Sequence, residues 1–167
     1  MKRLLIVRHG IAVAHGSPDF ADDDRPLTPK GEKRMRQIGY GLKRCGLAPD
    51  RIVSSPLPRA YRTAEIVARV LGCPDLLQTA DELRASESAA SIAGWIAEQP
   101  DEELMIVGHN PAFSDLVGLL VAGKTKLPLC DLRRGGMAAL ATREEDPTKW
   151  IIEWVARPRL IRRMGDR

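Results

Sequence analysis

Two histidines and two arginines stand where short apolar runs end. Arg8 and His9 follow Leu4 to Val7, Ser54-Ser55-Pro56 with Arg59 follows Arg51 to Val53, and His109 follows Leu104 to Val107. A neutral imidazole is a competent nucleophile toward phosphorus, and a covalent intermediate divides one difficult displacement into two easier ones. His9 suits that task. The rest of phosphoryl transfer is in-line positioning and positive charge around the equatorial oxygens, which guanidinium forks supply bidentately. Arg8 and Arg59 form the expected clamp, and His109 is the expected donor to a third oxygen.

An attacking imidazole needs one ring nitrogen free and the other held by a hydrogen bond that sets the tautomer. A backbone carbonyl near Gly10 is the nearest available acceptor. Arg62 lies three residues beyond Arg59 and joins the substrate-binding candidates. Asp81 and Glu82 are the carboxylates to weigh as a general acid, although carboxylates before a helix are common for macrodipole reasons. His15 and the run Asp22, Asp23, Asp24 read as a solvated loop. Cys45 and Arg51 have the Cys-x5-Arg spacing of thiol phosphatases, but Cys45 falls at a helix end and Asp50 brings a carboxylate where a phosphate needs amide donors. Carboxylates, histidines and cysteines do not cluster at metal-ligand spacing, so neither a metal nor another cofactor is expected.

These residues must be held by elements, and the chain alternates β-like runs with helical periodicity. That pattern predicts a three-layer α/β/α domain with a mainly parallel central sheet and a late hairpin. Strands are expected at Leu4–Val7, Arg51–Val53, Leu76–Thr79 and Leu104–Val107, with the hairpin from Met137–Thr142 and Trp150–Val155. Thr28-Pro29 opens a first helix that ends near Gly46, and Pro58 opens a second that Gly72 and Pro74 stop. Further helices are expected from Ser88 to Glu98 and after Pro111. Ligands of open α/β sheets bind outside the carboxyl ends of the strands, which is where Arg8, His9, Arg59 and His109 fall.

The chain has 167 residues, 44% of them hydrophobic and 29% charged, which suits one globular domain over residues 1–160 followed by a basic tail over 161–167. The longest apolar runs are too short for a secretory core or a membrane span, so no membrane partner and a cytoplasmic location are expected. Three dispersed cysteines fit a reducing compartment. The formal charge of +4 suits an anionic ligand, and Arg157, Arg159, Arg162, Arg163 and Arg167 concentrate positive charge late in the chain. Without interleaved aromatic residues that charge does not point to nucleic acid.

Four segments together resemble the histidine phosphatase superfamily, also called phosphoglycerate mutase-like, over nearly the whole chain. Leu5-Ile6-Val7-Arg8-His9-Gly10 is similar to its RHG signature, and Arg25-Pro26-Leu27-Thr28 with Gly31 to its LTxxG segment. Ser54-Ser55-Pro56-Leu57-Pro58-Arg59-Ala60 is similar to its SSPxxRA segment, and Val107-Gly108-His109-Asn110-Pro111 to its second-histidine segment. The resemblance implies that His9 is phosphorylated within a pocket of Arg8, Arg59 and His109. Arg62 departs from the pattern, since many members carry glutamine there.

The short chain, the VGHNP form and the lack of a long insertion between Arg59 and His109 resemble the small SixA-type phosphohistidine phosphatase branch. Larger sugar-phosphate members carry an acid before the fourth core strand, where this chain offers only Asp81 and Glu82. The resemblance thus implies a phosphatase acting on phosphohistidine of a protein, such as a phosphorelay component. The alternatives are a phosphatase for a small phosphorylated metabolite and a catalytically silent phosphate-binding module.

Overall fold

The first apolar run forms strand β1 (Arg3–Arg8), and its side chains divide between two covered faces: Leu5 and Val7 on one, Leu4 and Ile6 on the other. A strand buried on both sides requires helices above and below the sheet. The computed structural model, which describes residues 2–127 and 129–165, supplies them.

The sheet also contains β2 (Arg51–Ser54), β3 (Leu77–Thr79), β4 (Glu103–Gly108), β5 (Met137–Thr142) and β6 (Trp150–Ala156), in the order β3-β2-β4-β1-β5-β6. The first four are parallel, whereas β5 runs antiparallel to β1 and to β6, giving the late hairpin. Arg8 pairs with Gly108 and Ser54 with Val107, so β1, β2 and β4 all finish at one edge of the sheet. This register brings together residues far apart in the chain.

Helix α1 (Pro29–Arg44) begins where Thr28 accepts a hydrogen bond from the Gly31 amide at 3.0 Å, with Pro29 preset for the first turn. It buries Met35, Ile38 and Leu42, each worth roughly 1.5–3 kcal/mol of apolar burial. Helix α2 (Pro58–Leu71) lies on the same face and ends at Gly72, whose φ of 87° is the left-handed conformation that a helix stop favours. Helices α3 (Ala89–Ala97) and α4 (Ala112–Ala122) cover the other face through Ile92, Ile96, Phe113 and Leu116. None of the helices among the described residues is long and apolar enough to cross a membrane.

The basic tail expected over 161–167 is a different thing through Gly165. Residues Pro158–Gly165 form helix α5, which packs on α1 with Ile161 buried. The helix fits because Gly41 has no Cβ, which would run into the Ile161 carbonyl, and because Arg44 donates to the Met164 carbonyl at 3.0 Å. Arginines surrounding Ile161 hide this apolar contact in the sequence. Arg167 lies outside the described residues.

Candidate active site

The His9 side chain leaves the end of β1 beside the end of β4, where its own amide donates to the Gly108 carbonyl at 3.0 Å. The imidazole is 8% exposed, and Nδ1 lies 2.8 Å from the Gly10 carbonyl oxygen. A carbonyl only accepts, so Nδ1 carries the proton and Nε2 keeps its lone pair. Burial is the main force that lowers the His9 pKa to about 4, and the nearby Arg59, Arg8 and Arg25 charges lower it further against the Gly10 hydrogen bond. The ring is therefore neutral at neutral pH. Gly10 is as tight as it is useful, since a Cβ there would lie 2.8 Å from the Met35 side chain.

His109 follows β4 and precedes α4, and its ring centroid is 5.2 Å from that of His9. Only 3% of it is exposed, and its Nε2 pairs with the Ser55 hydroxyl at 2.9 Å. Burial first, then the His9 and arginine neighbours, lower its pKa to about 3. Ser55 is itself held by the loop after β2, with its amide donating to Val107 and its hydroxyl accepting from the Leu57 amide at 3.3 Å.

Arg59 sits in the first turn of α2 and is 2% exposed. Its guanidinium donates to the Asp22 carbonyl at 2.9 Å and the Asp23 carbonyl at 3.2 Å, while its Nε has no partner among the described residues. Arg8 donates to the Leu132 carbonyl at 2.7 Å and also leaves its buried Nε unpartnered. Burial pulls both guanidinium pKa values down. One buried and one half-buried guanidinium with unmet donors, beside two neutral imidazoles, make an environment that an oxyanion would relieve.

The four residues expected to form the pocket are thus supported by adjoining segments. Arg62 is placed elsewhere. Its Nε binds Glu32 and a terminal nitrogen binds Glu65, each at 2.7 Å, which holds its pKa above the ordinary value. Its position one turn of helix after Arg59 turns it toward α1, and Glu32 of α1 with Glu65 of its own helix satisfies the fork that a substrate would need. Asp81 and Glu82 lie in a short 3-10 turn after β3, both exposed, with Asp81 paired to Arg84 at 2.8 Å. Arg51 starts β2 at the opposite edge of the sheet and binds Gln99 and Asp101. Cys45 caps α1.

Three contributors escaped the sequence reading. The Thr63 hydroxyl accepts from the Gly10 amide at 3.0 Å and donates to the Arg59 carbonyl at 2.7 Å, joining the two halves of the pocket. Ser55 holds His109. The loop expected to be merely solvated uses the Asp22 and Asp23 carbonyls to hold Arg59, and Arg25 ties that loop down by donating to Val13 and Asp22 at 2.7 Å. His15 is exposed there and pairs with Asp22. Threonine spacing from Arg59 by one helical turn was a usable signal. Carbonyl roles leave no trace in residue types. Among the described residues no group of three or more His, Cys, Asp or Glu is placed to hold a metal.

Comparison with known proteins points the same way. The sequence profile of the histidine phosphatase superfamily (branch 1) matches residues 4–87. An uncharacterized protein of Picosynechococcus sp. (strain PCC 7002) is 36% identical over 141 residues, which is 82% of this chain and 83% of that one. The phosphoglycerate mutase-type protein GpmB of Escherichia fergusonii is 38% identical over 78 residues, 46% of this chain but 35% of its own length. Among solved structures, the protein histidine phosphatase SixA complexed with tungstate superposes with a TM-score of 0.81 at 23% identity, covering 95% of this chain and 99% of the other. The Agrobacterium tumefaciens protein assigned as phosphohistidine phosphatase SixA gives 0.77 at 25% identity, covering 94% and 98%.

Proposed function

The chain belongs to the histidine phosphatase superfamily, and on that premise we propose that it hydrolyses phosphohistidine on a protein by way of phospho-His9. The observation that carries this reading is the His9 ring: neutral, proton on Nδ1, Nε2 free, beside the buried Arg59 and the half-buried Arg8. In the first step Nε2 attacks phosphorus and the bond to the substrate's ring nitrogen breaks. Arg8, Arg59 and a ring N–H of His109 hold the phosphoryl oxygens. Water then attacks phospho-His9 and returns the free imidazole with inorganic phosphate.

The substrate class follows from the leaving group. An alkoxide must be protonated as it departs, whereas a phosphohistidine ring protonated at its distal nitrogen leaves as neutral imidazole. Asp81 and Glu82 are both exposed, and the Asp81 carboxylate is tied to Arg84, so neither is held in the pocket as a proton donor to a leaving oxygen. The SixA proteins of the same fold support the phosphohistidine reading. The GpmB likeness favours a small phosphorylated metabolite instead. The deciding measurement is kcat/KM for a phosphohistidine protein against a phosphoserine peptide and several sugar phosphates. A sugar phosphate turned over faster than the phosphohistidine protein overturns the proposal.

A further inference from the structure

Beside His9 opens a cleft of about 740 Å³ whose lining includes Arg8 and Gly10, the two residues that flank the nucleophile. Six further arginines line it: Arg34 from α1, Arg133 and Arg134 from the segment before β5, and Arg157, Arg159 and Arg162 at α5. Asp131 is the one carboxylate among the described residues that line it. Its pair with Arg133 at 3.3 Å is well exposed and contributes little. The excess of positive charge in this one cleft is larger than the +4 of the whole chain.

From this juxtaposition we propose that the cleft docks an acidic face of the protein that presents the phosphohistidine to His9. The proposal rests on the phosphohistidine reading above and adds how the partner is recognised. Guanidinia that line one cleft repel one another wherever they lie within a Debye length of about 8 Å, and a carboxylate-rich surface relieves that repulsion. Arg8 registers it, since the Arg134 charge helps burial to lower its pKa. The cleft is also coupled to the site by structure: Arg8 donates to Leu132, and the Gly135 amide donates to the Arg8 and His9 carbonyls at 3.0 and 2.9 Å.

The character of the lining selects among anionic ligands. Arg133, Arg134, Arg157 and Arg159 are exposed, which fits a broad solvated contact rather than the enclosed pocket that orients a small polyanion. No aromatic ring is among the described residues that line the cleft, so bases find nothing there on which to stack. α5 together with Arg157 just before it is the wall that carries half of the additional arginines.

The test uses two peptides with the same residues next to a chemically phosphorylated histidine, one flanked by glutamates and the other by serines. Wild type is expected to show at least a tenfold higher kcat/KM for the glutamate peptide at low salt, with the advantage shrinking as salt rises. The double variant Arg157→Glu, Arg159→Glu is expected to lose that advantage while turning over the serine peptide normally, which also reports its fold. Binding of the unphosphorylated glutamate peptide, measured by fluorescence anisotropy, gives a readout independent of turnover. Salt-sensitive binding that the double variant loses supports docking even when neither phosphopeptide is hydrolysed, an outcome that overturns the phosphohistidine reading alone. Equal kcat/KM and equal binding for the two peptides overturn the docking proposal and leave that reading standing. A small bisphosphate whose turnover shows the same dependence on Arg157 and Arg159 also overturns it, by assigning the cleft to a small polyanion.

Discussion

The His9 and His109 rings lie 5.2 Å apart between centroids and are tilted by 55°, one following β1 and the other β4. Parallel pairing of Arg8 with Gly108 produces this approach, and burial keeps both rings neutral. A neutral pair suits a site that receives a dianion: one ring attacks, and the other gains a reason to hold a proton only when phosphate arrives.

His9→Ala is expected to abolish turnover, and quenching wild type without acid is expected to trap phosphate on His9. Mass spectrometry of the intact chain and its peptides checks this. Phosphate found on another residue overturns the assignment.

Arg59 and Arg62 differ by one helical turn and are expected to differ sharply in consequence. Arg59→Ala removes a buried donor to developing negative charge and should lower kcat by roughly a hundredfold or more. Arg62→Ala removes a guanidinium, itself more than a third exposed, that pairs with Glu32 and Glu65 away from the pocket, so kcat should stay within about twofold. Steady-state rates on one substrate compare the two. A large loss at Arg62 would return it to the pocket.

Thr63→Val keeps the side chain's shape and removes a hydroxyl that both accepts from Gly10 and donates to Arg59. The buried Gly10 amide is then unsatisfied, costing about 1–3 kcal/mol of stability. The expected result is a lower urea midpoint together with a lower kcat, both restored by Thr63→Ser. Failure of serine to restore kcat would reduce Thr63 to a packing role.

Acid should destabilise the chain through its two buried histidines. Both folded pKa values are depressed below the ordinary 6.5, so the unfolded chain takes up these protons first as pH falls. Their contribution to stability is complete above about 6.5 and is lost progressively down to about 4 for His9 and about 3 for His109. Urea unfolding across that window should show the slope, and the His9→Asn, His109→Asn variant should flatten it. An unchanged slope in the double variant would assign it to other groups.

Chelation is expected to leave activity intact, because guanidinia and imidazoles supply the positive charge that a metal would otherwise bring. Rates after exhaustive treatment with a chelator check this, and loss restored by one divalent ion would overturn it.

Much of this protein was legible in residue order. Apolar runs end in Arg8-His9, Ser54-Ser55 and Gly108-His109, and parallel strands separated by helices send such ends to one edge, so His9, Arg8, Arg59 and His109 were expected as a set. Local signals sufficed for Thr28-Pro29 and Gly72 because caps and stops are decided within a turn of helix. What depended on long-range packing was not legible. Arg62 has the same residue type as Arg59, and only the approach of α1 to α2 decides that it meets Glu32. The Asp22 and Asp23 carbonyls hold Arg59 through backbone atoms that every residue shares. Residues 161–167 read as a basic tail because Ile161 finds its partner surface on α1, far earlier in the chain. Residue types and spacing determined the chemistry this protein can perform, since they are properties of side chains and of local backbone. The tertiary structure decided which charges face the nucleophile and which are neutralised by carboxylates, because that depends on contacts between segments that the sequence keeps apart.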